Sequence, residues 1–201
     1  MDISPDKQNV DRVFSNTTYY IDFYQRDYKW TSEPVERLLD DIFYKFNEEY
    51  EKHKSLDPGK ETITNKYPWY YLNTYVTNTI EGKVYVVDGQ QRLTTLTLIL
   101  ICLYRTAKEL ESKLQKWIEN KIAGQSGFEF EFWMNHEKHI STLKELFEGK
   151  TELKDIDTSS GITAANMVKN YTIIQSWLNA QLDNQHKFET FCNLPYKQLR
   201  K

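Results

Sequence analysis

A short segment near the middle of the chain joins the end of an apolar strand, a glycine and the start of a helix. It runs from Val86 to Leu96 and contains Asp88-Gly89-Gln90-Gln91-Arg92. The first amides of a helix have no partners within the helix and form the positive end of its dipole, so they attract anions. Glycine in the turn lets a ligand approach the backbone closely. The segment therefore predicts a phosphate or carboxylate site at the start of this helix.

Side chains in the same segment suit the binding and transfer of a phosphate. Arg92 offers a bidentate guanidinium, and Asp88, at the C-terminal end of a strand, is placed to hold a metal ion or to accept a proton. Gln91 is placed to orient a water molecule. We assign catalytic roles to Asp88, Gln91 and Arg92, with Asp88 also as the metal ligand. The residues assigned to phosphate binding in this segment are Gly89, Gln90, Thr94 and Thr95.

A purely structural interpretation of this segment is also open. In that interpretation Asp88 and Gly89 form only a turn, Asp88 caps the helix and Arg92 pairs with a nearby acid. Short strand–glycine–helix patterns have many false positives as phosphate motifs. The two interpretations differ in whether Arg92 has a carboxylate partner and whether a side chain caps the helix.

A second segment, from Tyr24 to Trp30, interleaves basic and aromatic side chains. Its sequence, Tyr-Gln-Arg-Asp-Tyr-Lys-Trp, favours a grip on phosphates together with stacking on a base. We assign Tyr24, Gln25 and Arg26 to nucleotide binding, with Tyr24, Tyr28 or Trp30 stacking on the base. The alternative is an aromatic loop that packs over a sheet edge, with Arg26 paired to an acid.

The hydrophobic pattern predicts the elements that position these segments. A buried helix rises from Leu93, and a helix with an apolar stripe begins at Thr31-Ser32-Glu33-Pro34. The predicted strands cover 19–24, 69–77 and the central strand 84–87, with a hairpin connection at 78–83 and a surface loop at 56–66. The buried helix is predicted to extend to Leu114. From Gly124 the pattern predicts a strand at 128–132, a short helix near 140–147, a linker at 150–160 and a long helix at 162–182.

Together these elements predict an α+β fold, a small sheet with helices over residues 1–123, followed by a mostly helical extension over residues 124–201. Leu199-Arg200-Lys201 is no clear structural end, which indicates a piece of a longer protein. The net charge of −3 excludes a strongly basic domain that coats nucleic acid. The two cysteines, Cys102 and Cys192, are predicted to be buried free thiols.

Other function classes find little support in the sequence. His136 and His139 leave a zinc site unfinished, and neither a Walker loop nor a dinucleotide fingerprint is present. The N-terminus lacks an apolar signal core, and the longest apolar run is shorter than the ~20 residues of a membrane span. The sequence therefore favours a cytoplasmic protein without membrane contact.

The order of these motifs resembles the N-terminal domain family of GmrSD-type restriction systems, which is similar to the ParB/sulfiredoxin fold. The resemblance covers residues 21–30, 35–42, 69–76 and 86–103, with Asp88 to Thr95 as its most specific part. Asp22-Phe23 departs from the Ile-Pro pair that is usual in the first strand. The chain also shows no His-Asn-His nuclease motif, which many members carry in a separate C-terminal domain.

The resemblance implies nucleotide binding and hydrolysis at Asp88–Arg92, with Arg26 and Arg92 as the two phosphate-site arginines. It also implies defence against phage by nucleotide-dependent restriction of modified DNA. We therefore predict binding and hydrolysis of a nucleoside triphosphate with a divalent cation, Mg²⁺ above others. The alternatives are a sensor of nucleotide or DNA backbone that controls a nuclease domain, and an interaction protein in which both arginines are structural. The predicted partners are nucleotide, DNA and a C-terminal nuclease domain or partner subunit, with oligomerisation left open.

Overall fold

The computed structural model describes residues 4–15, 17–21, 25–67, 71–126 and 129–194. Helices dominate within these ranges, and the strands are short. The N-terminal half contains α1 (Val10–Val13), β1 (Tyr19–Tyr20), α2 (Ser32–His53), α3 (Lys60–Lys66), β2 (Val76–Ile80), β3 (Lys83–Asp88) and α4 (Gln90–Glu109). The C-terminal half contains α5 (Gln115–Ile122), β4 (Ala123–Ser126), β5 (Glu129–Phe132), β6 (Met134–Asn135), α6 (Ile140–Glu148), α7 (Ile162–Gln181) and α8 (Gln185–Cys192).

In the described ranges the main sheet has four strands in the order β2-β3-β1-β6. β2 and β3 form an antiparallel hairpin that turns at Glu81 and Gly82, both with positive φ. β1 runs parallel to both of its neighbours, β3 and β6. β3 is therefore an inner strand, as its apolar sequence predicts. A separate antiparallel pair joins β4 to β5.

α4 is the buried centre of the molecule. Its side chains from Leu93 to Tyr104 are all buried, so this helix is covered on every side, as its apolar sequence predicts. It packs against α5 and α7, and α7 also packs against α2. The stripe on α2 faces the same core, with Val35, Leu38, Leu39, Phe43 and Phe46 buried. The fold is thus the predicted α+β class, a small mixed sheet with helices.

The two regions predicted from the sequence, residues 1–123 and 124–201, share one sheet and one core. β6 supplies an edge of the main sheet. Met134, Met167, Tyr171 and Ile174 from the second region belong to the same hydrophobic cluster as Val86 from the first. Packing between the regions therefore positions the start of α4.

Several element boundaries differ from the predictions. The predicted surface loop at 56–66 contains the helix α3. The predicted helix from Leu93 to Leu114 ends at Glu109, and α5 follows after Glu111, whose φ is 49°. β2 begins at Val76 rather than at Trp69, and Trp69 itself lies outside the described residues, as do Asp22 to Tyr24 and Phe128.

Two further expectations bear on chemistry. Cys102 and Cys192 are buried and free, as predicted. Burial raises the pKa of both thiols, which disfavours the reactive thiolate. Within the described ranges, no helix combines the length and the apolar character needed to cross a bilayer.

Candidate functional site

The start of α4 is a sharp turn out of β3. Asp88 ends β3 with an exposed side chain, and Gly89 follows in the left-handed conformation with φ of 89°. The first helical bond runs from the Leu93 amide to the Gly89 carbonyl, 3.0 Å away. Its N-cap is this glycine, and no side chain of the described residues caps the helix. The structural interpretation in which Asp88 caps α4 is therefore wrong.

Arg92 projects from the first turn of α4 beside the irregular segment that precedes β2. Its guanidinium lies 3.4 Å from the Thr74 carbonyl oxygen, and the residue as a whole is half-buried. No ion pair involves Arg92 in the part of the chain that the structure describes. The interpretation in which Arg92 pairs with an acid is wrong for these residues, and its charge is available to an anion.

Gln91 ties the predicted aromatic loop, residues 25–30, to the start of α4. Its Oε1 accepts hydrogen bonds from the amides of Lys29 at 2.7 Å and Trp30 at 3.1 Å, and its Nε2 donates to the Asp27 carbonyl at 2.8 Å. Residues 25–30 form no helix or strand, so their backbone groups need other hydrogen-bond partners. The side chain of Gln91 supplies partners for three of these groups.

Both predicted segments therefore meet at one place in the fold. Gln25 donates from Nε2 to the carbonyl oxygen of Val86 in β3. Arg26 is exposed on the same loop and forms no ion pair with the described residues. Gln90 is buried in the first turn of α4. Tyr24, the remaining residue assigned to nucleotide binding, lies outside the described residues.

The hydroxyls of Thr94 and Thr95 face the interior. The Thr95 hydroxyl donates to the Gln91 carbonyl at 2.9 Å and lies 2.8 Å from the Tyr28 hydroxyl. The Thr94 hydroxyl lies 2.9 Å from Nε2 of His136, and burial lowers the pKa of His136 to about 3. The sequence assigned both hydroxyls to phosphate, whereas the structure engages them in holding α4 to its neighbours.

The aromatic side chains of the loop have different exposures. Tyr28 is 0% exposed, so the prediction that it stacks on a base is wrong. Burial raises the pKa of its hydroxyl. Trp30 is half-buried against the core, and it keeps the stacking role only as a prediction. Tyr28 is buried because its hydrogen-bonding groups find partners inside the fold, which a pattern of residue types does not reveal.

The sequence comparison supports the resemblance drawn from these motifs. A family model described as the GmrSD restriction endonuclease, N-terminal domain, matches residues 10–199. The chain belongs to this family. Membership makes the chain a component of a restriction system. No curated protein matches the chain.

In this GmrSD N-terminal domain, α7 contributes side chains to the site that sequence analysis missed. The Tyr28 amide donates to Oγ1 of Thr163 at 3.0 Å, and Nδ2 of Asn166 donates to the Tyr28 carbonyl at 2.8 Å. Nδ2 of Asn170 reaches the Tyr28 hydroxyl at 3.0 Å and the Trp30 carbonyl at 2.7 Å. Their spacing of three and four residues puts them on one face of a helix. Polar residues at this spacing in a largely apolar helix are the sequence pattern that could have indicated these contacts.

The donor set of the GmrSD N-terminal domain limits how it could hold a metal. No group of three or more His, Cys, Asp or Glu side chains is suited to a metal ion in the described ranges. His136 and His139 instead bind the hydroxyls of Thr94 and Ser160. Asp88 is a single exposed carboxylate, which fits Mg²⁺, because Mg²⁺ is commonly held by one or two carboxylates together with substrate phosphates.

Proposed function

We propose that this GmrSD N-terminal domain binds a nucleoside triphosphate at the start of α4 and hydrolyses it during restriction of modified foreign DNA. One observation carries the proposal. The first turn of α4 has no capping side chain, and Arg92 within it has no carboxylate partner among the described residues. A helix start with its own arginine attracts phosphate through both its amides and its charge.

Each side chain of the proposed site has a role that its position permits. The first-turn amides of α4 bind phosphate oxygens close to Gly89, and Arg92 and Arg26 neutralise the charge that develops during phosphoryl transfer. Asp88 orients the attacking water or holds the divalent cation. When bound, Mg²⁺ supplies further charge neutralisation. Gln91 keeps its predicted place in the site but acts through the loop that it holds.

The remaining partners follow from membership of a restriction system. We propose that the domain acts in the cytoplasm on DNA, together with a C-terminal nuclease domain or a partner subunit that cleaves it. The described residues offer no cluster of carboxylates for direct DNA cleavage. Nucleotide turnover would then control a nuclease rather than perform the cleavage.

A second function, nucleotide sensing without hydrolysis, is favoured by one observation. Asp88, the carboxylate directly before α4, is exposed and forms no side-chain hydrogen bond with another described residue, so no contact among these residues orients it as a general base. A sensor needs the first-turn amides of α4 and the two arginines to bind phosphate, but it needs no general base. Binding and phosphate release must therefore be measured separately.

The first prediction concerns Arg92. We expect Arg92→Ala to weaken triphosphate binding roughly tenfold to a hundredfold, because a charge-assisted hydrogen bond contributes about 1.5 to 3 kcal/mol. Arg92→Lys should recover part of the binding, since it keeps the charge and loses the planar fork. Binding would be followed by calorimetry and turnover by phosphate release, over a panel of nucleoside triphosphates with Mg²⁺.

The matched control is Arg12→Ala. Arg12 lies on the surface, where it pairs with Asp6 at 3.3 Å. Its replacement by alanine changes the net charge by the same amount as Arg92→Ala. We expect it to leave binding unchanged. Equal binding by wild type and Arg92→Ala would refute the site, whereas tight binding without phosphate release above background would favour the sensor.

A further inference from the structure

A continuous hydrogen-bond network links α7 to the start of α4 through the loop 25–30. Nδ2 of Asn170 donates to the Tyr28 hydroxyl, which lies 2.8 Å from the Thr95 hydroxyl. The Thr95 hydroxyl donates to the Gln91 carbonyl. Because Thr95 uses its proton there, Tyr28 must donate to Thr95 and can only accept from Asn170. The network therefore has one direction, and it begins at Asn170.

The amide of Asn170 has a single workable orientation. Its side chain is 0% exposed, and Nδ2 also donates to the Trp30 carbonyl at 2.7 Å. An inverted amide would place its oxygen against that carbonyl, two acceptors facing each other. In the observed orientation the buried Oδ1 has no hydrogen-bond partner. Buried acceptors without partners are uncommon because burial removes their hydration at a cost in free energy. The two hydrogen bonds that Nδ2 donates to the loop offset this cost.

The loop depends on this donor because its backbone has few other partners. Asn170 and Asn166 on α7 hold the carbonyls of Trp30 and Tyr28. Gln91 on α4 holds the amides of Lys29 and Trp30. The segment from Tyr28 to Trp30 is thus fixed between two helices. Arg26 lies two residues before Tyr28, so the same contacts restrict where its guanidinium can reach.

We propose that Asn170 is a positioning residue for the phosphate site, which makes α7 part of that site. It acts through the loop 25–30, by setting the reach of Arg26 toward the first turn of α4, and it contacts no substrate itself. This proposal rests on the proposed function for the identity of the ligand.

The test is Asn170→Asp, which keeps the shape of the side chain and removes its N–H donors. Asn47→Asp is the matched control, since Asn47 on α2 also donates from Nδ2 to α7, to Gln181 at 3.1 Å, and also has a buried Oδ1 without a partner. Amide hydrogen exchange of Tyr28, Lys29 and Trp30 would be compared with exchange of Val86 in β3. Affinity for ATP with Mg²⁺, kcat and KM would be measured on the same samples.

We expect Asn170→Asp to speed exchange of the three loop amides at least tenfold while exchange of Val86 stays unchanged. ATP affinity should fall about tenfold and recover on acidification, because a protonated carboxyl donates again to the Trp30 carbonyl. Asn47→Asp should leave loop exchange and affinity unchanged. Asn166→Ala, at a half-buried position, should give the same selective loss in smaller measure, and it provides the test should Asn170→Asp fail to fold.

Two results would overturn the inference. One is unchanged loop exchange in both Asn170→Asp and Asn166→Ala. The other is equally faster exchange in the loop and in β3, which would indicate general destabilisation. If the wild type binds no nucleotide, the proposed function fails, while hydrogen exchange still decides whether Asn170 positions the loop.

Discussion

At residue 89 the backbone leaves the central strand with a φ of 89°, and the space normally filled by a Cβ atom is occupied by a neighbour. A Cβ on Gly89 would lie 2.6 Å from Cβ of Tyr75 and 3.1 Å from its Cα. Real Cβ atoms do not approach that closely. Gly89 is therefore required twice, by the left-handed conformation and by the close passage of the segment before β2.

The prediction for Gly89→Ala follows from these two demands. The left-handed conformation costs an alanine about 1 to 2 kcal/mol, and forced repacking against Tyr75 adds roughly 1 to 3 kcal/mol. We expect the free energy of unfolding to fall by the sum. Gly82→Ala is the control, because Gly82 has a φ of 79° and no atom within 4 Å of its added Cβ.

Urea denaturation of both variants measures the comparison. Gly82→Ala should lose only the conformational part. Equal losses in the two variants would show that Tyr75 moves aside freely and that the turn tolerates a side chain.

At the scale of elements, a buried hydrogen bond joins His136, just after β6, to Thr94 on α4. Burial lowers the pKa of His136 from 6.5 to about 3, with a smaller contribution to that shift from His139, whose ring centre is 6.5 Å away. Between these pH values the unfolded chain binds a proton that the folded chain does not. Stability therefore falls as the pH decreases below about 6.5.

We predict that His136→Gln removes this part of the acid sensitivity. The amide nitrogen of glutamine is placed like Nε2 of histidine and does not titrate. A single pKa unit corresponds to about 1.4 kcal/mol, so between pH 7 and pH 5 the wild type should lose about 2 kcal/mol more than the variant. Urea denaturation at several pH values measures both curves, and parallel curves would show that His136 is protonated in the folded protein.

The elements also show where sequence reasoning succeeds and where it stops. The sequence predicts the helices α2, α4 and α7 because each repeats apolar residues over three or more turns. The sequence does not predict α3, because Ile63 is the single apolar residue in this seven-residue helix and one residue cannot show a helical period. Likewise the local sequence shows the site motif. Asn166 and Asn170, in contrast, lie more than a hundred residues from the loop that they contact, so no local pattern reveals those contacts.

At the scale of the whole molecule, the site is assembled from both ends of the chain. The loop 25–30 and α4 come from the first 123 residues, and β6 and α7 come from the rest. β6 pairs with β1, and α7 packs on α2 and α4. Although the sequence divides the chain at residue 123, this sharing leads us to expect one cooperative folding unit.

The last prediction is that a fragment of residues 1–123 does not fold by itself. Without the C-terminal region α4 exposes the face that now packs on α7, whose residues Met167, Tyr171 and Ile174 belong to the shared core. Burying one such side chain contributes about 1.5 to 3 kcal/mol, and a whole domain is stable by only about 5 to 15 kcal/mol. Losing this cluster, the β6 pairing and the loop contacts together therefore exceeds the available stability.

Circular dichroism and tryptophan fluorescence measure the outcome during heating. For the whole chain we expect both probes to report a single coincident transition, and for the fragment we expect no cooperative transition. A fragment that unfolds cooperatively would show that α4 is covered well enough without α7. In that case α7 would be a detachable lid on the loop 25–30 rather than part of the core that forms the site.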